Sequence, residues 1–163
     1  MDLGHLLELE AVLPIVRAAS KKQALQEIAV RAARLTGHDE IDVFERLSHR
    51  ERLGSTGIGH GIAIPHADVP GLERTVGIFA RLERPVDFEA IDEQPVDLLF
   101  TLLSPIGAGA DHLKALARVA RVLRDAAMVA KLRATADPAA LWAVLTLGAG
   151  DGRPPRAPRL AVS

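Results

Sequence analysis

The stretch that decides the fold runs Arg50-Glu51-Arg52-Leu53-Gly54-Ser55-Thr56-Gly57-Ile58-Gly59-His60-Gly61-Ile62-Ala63-Ile64-Pro65-His66-Ala67-Asp68. Its four glycines lie within residues 54–61, which we call the glycine stretch. Glycines permit close backbone approach, so their N–H groups can face an anion. The apolar run 62–64 is typical of a short buried strand, and proline then fixes the chain direction. We therefore expect His66 at a strand end, beside a loop rich in backbone donors.

On both sides of this stretch the chain alternates between helix and strand patterns. Ser20 and Gln23 form a capping box, and the helix that follows is expected to stop at Gly37. Two apolar strands are predicted downstream, over residues 75–82 and 96–103, the second buried on both faces. Helices joined to strands near the glycine stretch indicate an α/β fold.

The remaining helices are predicted from caps and apolar spacing. Asp39 caps the second helix, which is expected to fray near Arg50. Asp111 opens the third, Asp125 caps a fourth and Asp137-Pro138 begins the last. The predicted inner residues of the second helix are Ile41, Phe44 and Leu47, and those of the third are Leu113, Leu116, Ala117, Val119, Ala120 and Leu123.

Composition limits the classes of function. The 163 residues fit one domain, which we place at 1–148, and the Gly, Pro, Arg and Ala content beyond it predicts a disordered tail over 149–163. A net charge of −1 gives no electrostatic case for nucleic acid. No apolar segment approaches the roughly 20 residues of a transmembrane helix, so we expect no membrane insertion. The chain has no cysteine, and its first residues lack the basic and apolar segments of a signal peptide, so we expect it in the cytoplasm.

Three side chains are candidates for chemistry. His66 can act as a covalent nucleophile, because its near-neutral pKa leaves one ring nitrogen free. His112 lies one residue into a predicted helix, where it could donate a hydrogen bond to a phosphoryl oxygen. Arg50 could clamp phosphate oxygens with its fork of donors. The structural alternatives are a hydrogen-bonded core histidine, a surface histidine and a solvated helix-end charge. For Arg52 we favour the solvated charge.

Other kinds of site are poorly supported. Ser55 and Thr56 are expected to make a turn with a secondary anion contact. The glycine stretch lacks the Gly-Lys-Ser/Thr ending of a nucleotide loop, and no G-x-S-x-G nucleophile elbow is present. Zinc on His60, His66 and His112 is disfavoured, because no pair of ligands is closely spaced on one helix. We therefore expect neither a metal nor a cofactor.

The residues 50–59 and Gly61-Ile62-Ala63-Ile64-Pro65-His66 resemble the enzyme IIA domain of the fructose/mannitol class of the bacterial phosphoenolpyruvate phosphotransferase system. The stand-alone nitrogen-regulatory branch is the most similar. Phe88-Glu89-Ala90-Ile91-Asp92, residues 94–100 and His112-Leu113 extend the resemblance to roughly residues 5–147.

The resemblance implies a single domain with a mixed sheet flanked by helices. It also implies that His66 takes a phosphoryl group from a histidine phosphocarrier protein, supported by His112 and Arg50. Backbone N–H groups of the glycine stretch would help to bind the phosphoryl group, so Ser55, Thr56, Gly57 and Gly59 are its predicted binding residues. No nucleotide or metal is required, since the donor is already a phosphoprotein.

Two classes of function stay open, and the nitrogen-regulatory resemblance implies both. The chain is a phosphotransferase component that forms a phosphohistidine, or a regulator of partners such as transporters or sensor kinases for which phosphorylation is the switch. The outside alternative is a sugar-specific enzyme IIA that passes phosphate to a separate enzyme IIB. The sequence does not indicate the oligomeric state.

Overall fold

The computed structural model describes residues 3–147, which form one six-stranded mixed sheet with helices packed against it. The predicted α/β class with a mixed sheet is confirmed. Residues 1, 2 and 148–163, including the predicted tail, lie outside the described part. A 3₁₀ turn, Leu9–Ala11, precedes the sheet. The strands are β1 (Val12–Val16), β2 (Gly57–Gly59), β3 (Ile62–Ala63), β4 (His66–Val69), β5 (Val76–Val86) and β6 (Val96–Pro105). The helices are α1 (Lys21–Thr36), α2 (Glu40–Leu53), α3 (Gly109–Leu123), α4 (Ala126–Arg133) and α5 (Pro138–Leu147).

The buried strand β6 organises the sheet. The strand order is β1-β5-β6-β3-β2, and β4 also pairs with β6. Strands β3 and β4 both run parallel to β6, one after the other, so that Ile62 lies opposite Leu98 and His66 opposite Leu102. Pro65 lies between them, and its carbonyl oxygen accepts a 2.9 Å hydrogen bond from the Leu102 N–H. His66 therefore begins β4 beside a buried strand, rather than ending the preceding strand.

The helix caps predicted at Ser20, Gly37, Asp39 and Asp125 are confirmed. The Ser20 hydroxyl accepts from the Gln23 N–H at 3.1 Å, and the Asp39 carboxylate accepts from the Asp42 N–H at 2.9 Å. Asp125 caps α4 in the same way, and Gly37 ends α1 with a φ of 74°. These contacts join residues at most three apart, which is why the sequence pattern reveals them.

Helix α2 differs from its prediction in two respects, the burial of Ile41 and the position of its last turn. Ile41 is 66% exposed, whereas Val43 and Leu47 are fully buried. The helix does not fray at Arg50 but continues to Leu53. Its last turn is anchored by the buried carboxylate of Glu51, which pairs with the Lys21 ammonium at 2.7 Å. That partner lies 30 residues away in the chain, so helical spacing alone could not have revealed the anchor.

Helix α3 begins two residues earlier than predicted, at Gly109. His112 is therefore its fourth residue rather than its second. Leu113 is 66% exposed, and the buried face is carried instead by Ala115, Val119, Val122 and Leu123. Apolar spacing identified the helix but not which of its apolar residues face the sheet.

The connection between β2 and β3 is a two-residue turn, His60-Gly61. Both residues have positive φ, 56° and 81°, as a type I′ hairpin requires. Asp92 accepts from the His60 N–H at 2.9 Å, and Arg133 donates to the His60 carbonyl oxygen at 2.6 Å. Arg133 also pairs with Asp97 at 2.8 Å. Helix α4 therefore holds the turn that leads toward His66.

Gly61→Ala is predicted to destabilise the fold more than Gly71→Ala. Gly71 has a similar φ of 86°, and a Cβ there meets nothing within 4 Å. Both substitutions should cost about 1–2 kcal/mol for a left-handed backbone. At Gly61 the new Cβ also collides with the Arg133 guanidinium, and displacing it should add about 1 kcal/mol through the lost hydrogen bond. Urea unfolding measures both variants, and equal losses of unfolding free energy would contradict the role of Arg133.

Candidate functional site

One open cavity brings together the three side chains singled out from the sequence. Its volume is about 610 Å³, and its walls come from α2, β4 and α3. Arg50, His66 and His112 all line it. We call it the His66 cavity.

The His66 ring is held in one orientation and one tautomer. Its Nδ1 lies 2.9 Å from the carbonyl oxygen of Ile64. A carbonyl oxygen only accepts, so Nδ1 must carry the proton and donate. In the neutral ring the lone pair is then on Nε2, which accepts a 3.2 Å hydrogen bond from the Arg50 Nε–H. The free nitrogen of His66 therefore points at a guanidinium, whose positive charge favours binding of an anion at this position.

Burial keeps the site histidines neutral. It lowers the pKa of His66, and the positive charge of Arg50 lowers it further, against an opposing contribution from the Ile64 carbonyl. Burial also lowers the pKa of His112, with a further lowering from His66. The lowered pKa values favour neutral imidazoles, each with a lone pair, as a nucleophile or a neutral hydrogen-bond partner requires.

His112 lies directly beside His66. The two ring centroids are 5.2 Å apart, and the ring planes are inclined at 53°. The Nδ1 of His112 forms a short hydrogen bond with the buried hydroxyl of Ser104 in β6. The position of His112 in the first turn of α3 thus lets it share the cavity with a residue of β4.

Helix α2 supplies three arginines to the cavity, of which Arg50 and Arg46 are held by hydrogen bonds. Arg50 donates through Nη1 to the Gly54 carbonyl oxygen at 2.9 Å, so the glycine stretch reaches the site through a carbonyl that orients an arginine. Arg46 lines the same cavity, where Asp42 holds it at 2.8 Å. Arg46 was not predicted as a site residue. It lies four residues before Arg50, so the two side chains share one face of a helix, but the helix was expected to fray near Arg50.

The predicted phosphoryl-binding residues of the glycine stretch lie outside the lining of the His66 cavity. The Ser55 hydroxyl donates to the Phe88 carbonyl oxygen at 2.6 Å, and Thr56 contacts the Glu51 carboxylate through its hydroxyl and its N–H. Gly57 pairs with Ala63 between β2 and β3, and Gly59 lines a different cavity. Their role as phosphoryl ligands stays a prediction, and in this structure they build the hairpin that precedes His66.

Formal charges in the cavity lining balance. Three arginines face three carboxylates, and three histidines add no charge while they are neutral. The charged members are Arg46, Arg50, Arg52, Asp42, Glu45 and Asp68. Within residues 3–147 no group of three or more His, Cys, Asp or Glu side chains could hold a metal ion. In the same part of the chain no helix is long and apolar enough to cross a membrane.

Comparison with known proteins identifies similar chains. Residues 5–147 match the family model described as "Phosphoenolpyruvate-dependent sugar phosphotransferase system, EIIA 2". A nitrogen regulatory protein of Bradyrhizobium diazoefficiens is 58% identical over 147 residues, which cover 90% of this chain and 96% of the relative. A nitrogen regulatory protein of Escherichia coli is 42% identical over 147 residues, covering 90% of each.

A solved structure shares the whole architecture. The nitrogen regulatory protein IIA-Ntr from Neisseria meningitidis superposes with a TM-score of 0.83 at 35% sequence identity. The match covers 88% of this chain and 99% of the other. The similarity therefore extends through both the sheet and the helices that carry the His66 cavity.

We predict that the pKa of His66 rises in Arg50→Ala and stays unchanged in Arg52→Ala. Burial is the largest cause of the lowered pKa of His66, and the positive charge of the Arg50 guanidinium beside Nε2 lowers it further. Arg52 lines the same cavity, but its side chain is exposed, so solvent screens its charge. Histidine NMR titration measures both variants. A wild-type His66 that titrates at or above the ordinary value of 6.5, or one that does not respond to Arg50→Ala, would contradict this electrostatic account.

The same pKa directions set the sign of stability against pH. The folded-state pKa values of His66 and His112 lie below the ordinary value of 6.5. Between the folded-state value and the ordinary value, each histidine therefore binds more protons in the unfolded chain than in the folded one. These two groups therefore make the fold less stable as the pH falls below about 6.5.

Proposed function

The chain belongs to the enzyme IIA type 2 family of the phosphoenolpyruvate-dependent phosphotransferase system, in its nitrogen-regulatory branch, and we propose that it accepts a phosphoryl group on Nε2 of His66. The donor is a histidine phosphocarrier protein, and the reaction takes place in the cytoplasm. The single observation that carries the proposal is the hydrogen bond of His66 Nδ1 with the Ile64 carbonyl oxygen, which leaves Nε2 as the free nucleophile next to Arg50.

The transfer needs no proton to move on His66. The Nε2 lone pair forms a bond to phosphorus while the bond from phosphorus to the donor's ring nitrogen breaks, and the donor ring recovers its electron pair. The His66 ring gains positive charge as its lone pair is shared. Its Nδ1–H, already directed at the Ile64 carbonyl oxygen, is stabilised in that state because a hydrogen bond from a charged donor is stronger.

The neighbouring side chains take up the charge of the phosphoryl group. Arg50 now donates to the Nε2 lone pair, and on phosphorylation the same N–H is placed to donate to a phosphoryl oxygen. His112, with its ring 5.2 Å from that of His66, donates to a second oxygen. Phosphoryl transfer depends mainly on such positioning and charge neutralisation. The arginine of the preceding turn, Arg46, adds positive charge to the same wall.

Regulation follows from the change in charge. The phosphoryl group adds about −1.5 to −2 charges to a cavity whose lining is formally neutral. A partner that packs over the cavity must then desolvate the added charge. We therefore propose that regulated partners prefer the unphosphorylated chain and compete with the phosphocarrier for this face. The exposed Leu53 at the cavity edge offers such partners an apolar contact.

The nitrogen-regulatory function is favoured over the sugar-specific alternative. Both relatives described above carry the name nitrogen regulatory protein, and their matches extend over nearly the whole of each protein. Onward transfer to a separate enzyme IIB therefore forms no part of the proposal.

Phosphorylation by purified phosphocarrier and phosphoenolpyruvate tests the assignment of the site. The wild-type chain should gain one phosphoryl group, measured by intact mass under alkaline conditions, and His66→Ala should gain none. His112→Ala should slow single-turnover transfer by about 10- to 100-fold, the effect of one hydrogen bond to a charged group. His60→Asn serves as the control, because His60 lines a different cavity and asparagine suits its turn. Full phosphorylation of His66→Ala would refute the proposal.

Partner binding tests the regulatory part. His66→Asp places a negative charge in the cavity, so it should bind a regulated partner at least tenfold more weakly than His66→Ala does. Calorimetric titration with a partner recovered by pull-down gives both affinities, and added phosphocarrier should displace the partner. If both variants bind equally and the phosphocarrier does not compete, regulation uses another surface.

A further inference from the structure

A chain of three polar side chains leads from the His66 cavity through the sheet. It runs from His112 through Ser104 to Thr75. Nothing in the proposed transfer uses Ser104 or Thr75, although Ser104 is fully buried in the central strand β6. A buried hydroxyl is retained at little cost only where it is hydrogen-bonded, so this one calls for an explanation.

The sheet register brings these groups together. Val76 of β5 pairs antiparallel with Leu103 of β6, so Thr75 comes opposite Ser104, and their hydroxyl oxygens lie 3.3 Å apart. Ser104 Oγ also makes the short hydrogen bond with Nδ1 of His112. Three elements thus meet in one hydrogen-bonded line, with the Ser104 hydroxyl in the middle.

Two orders of the line use the buried Ser104 proton. A third arrangement, in which Ser104 accepts from both Thr75 and His112, leaves that proton without a partner on the line. In the first order Thr75 donates to Ser104, Ser104 donates to His112 Nδ1, and the His112 proton is on Nε2. In the second order every proton is reversed: His112 Nδ1–H donates to Ser104, Ser104 donates to Thr75, and His112 Nε2 carries a lone pair.

We propose that Ser104 and Thr75 are positioning residues that hold His112 in the first order, so that its Nε2–H is presented to the phosphoryl group on His66. The kinetic consequence rests on the proposed function. The tautomer itself does not, because it is a property of the unphosphorylated chain.

The first order can be satisfied at both ends of the line. Thr75 is half-buried and lines a second open cavity of about 660 Å³, so its oxygen can accept from solvent while its proton points inward. On the other side, the carboxylate of Asp68 lines the His66 cavity together with His112, and its negative charge favours a proton on the ring nitrogen that is not bonded to Ser104.

The order decides whether His112 attracts or repels a phosphoryl group on His66. An Nε2–H donates to a phosphoryl oxygen, whereas an Nε2 lone pair in the same place repels it. His66 obtains its tautomer from a backbone carbonyl, which can only accept. His112 instead depends on a hydroxyl that can do both, and therefore needs Thr75 to select the direction.

The chain offers a matched control in the same strand. Thr101 of β6 is fully buried, and its hydroxyl finds no hydrogen-bond partner within residues 3–147. Thr101→Val removes a buried hydroxyl with almost no change of shape and leaves the Thr75–Ser104–His112 line intact. Ser104→Ala and Thr75→Val each break that line at a different point, so one of them still tests the proposal if the other does not fold.

Ring-nitrogen NMR of the unphosphorylated chain, labelled with ¹⁵N-histidine, tests the tautomer directly. In the wild-type chain and in Thr101→Val, His112 should carry its proton on Nε2. In Ser104→Ala and Thr75→Val the fraction protonated on Nδ1 should rise. A wild-type His112 with its proton on Nδ1 would overturn the proposal.

Single-turnover transfer from the phosphocarrier tests the consequence. Ser104→Ala should accept the phosphoryl group about threefold to tenfold more slowly than Thr101→Val, the effect of one ordinary hydrogen bond. Thr75→Val should be slowed by a smaller factor. Equal rates for Ser104→Ala and Thr101→Val would overturn the positioning role. If even the wild-type chain accepts no phosphoryl group, the proposed function fails, and the tautomer measurement still decides the order of the line.

Discussion

The hydrogen bond between His66 Nδ1 and the Ile64 carbonyl oxygen is the contact on which the site depends. It orients the ring, fixes its proton and leaves Nε2 free toward the cavity. The contact exists because the chain turns between β3 and β4 at Pro65, whose own carbonyl oxygen is bonded to β6. Ile64 and His66 are two residues apart, and the proline between them interrupts the strand, so that the Ile64 carbonyl oxygen can support the ring of the proposed nucleophile.

The charges around His66 then determine what the proposed nucleophile can accept. Arg50 lies on the rigid helix α2 and is oriented by the Gly54 carbonyl oxygen, so its Nε–H meets His66 without the entropy loss of an exposed side chain. Helix α2 is itself fixed at that turn by the buried Glu51–Lys21 pair. A balanced set of charges around a neutral imidazole suits a group that arrives with its own negative charge.

The sequence predicted local features well and long-range ones poorly. The caps at Ser20, Asp39 and Asp125 could be recognised because donor and acceptor are neighbours in the chain. The extent of α2 could not, since Lys21 and Glu51 are far apart in sequence. The predicted faces of α2 and α3 were wrong at Ile41 and Leu113, because helical spacing does not show which of several apolar stripes meets the sheet.

The residues of the candidate site also differ in how far the sequence could predict them. His66, His112 and Arg50 were found from residue type and resemblance, and the structure places them in one cavity. The glycine stretch was expected to supply N–H donors to an anion. In the structure its polar groups bond within the hairpin or to distant partners such as the Phe88 carbonyl, which only the folded sheet brings near. Ser104 was not predicted as a site residue, because a serine next to an apolar run has no sequence pattern that indicates a function.

The most direct measurement is the identity of the phosphorylated atom. Nitrogen-15 and phosphorus NMR of the histidine-labelled chain, after phosphorylation by the phosphocarrier, resolves which ring nitrogen is bonded to phosphorus. The account predicts one phosphohistidine, at Nε2 of His66, with a proton retained on Nδ1. A phosphoryl group on Nδ1 of His66, or on any other histidine, would contradict it, because the Ile64 carbonyl would then not select the nucleophile.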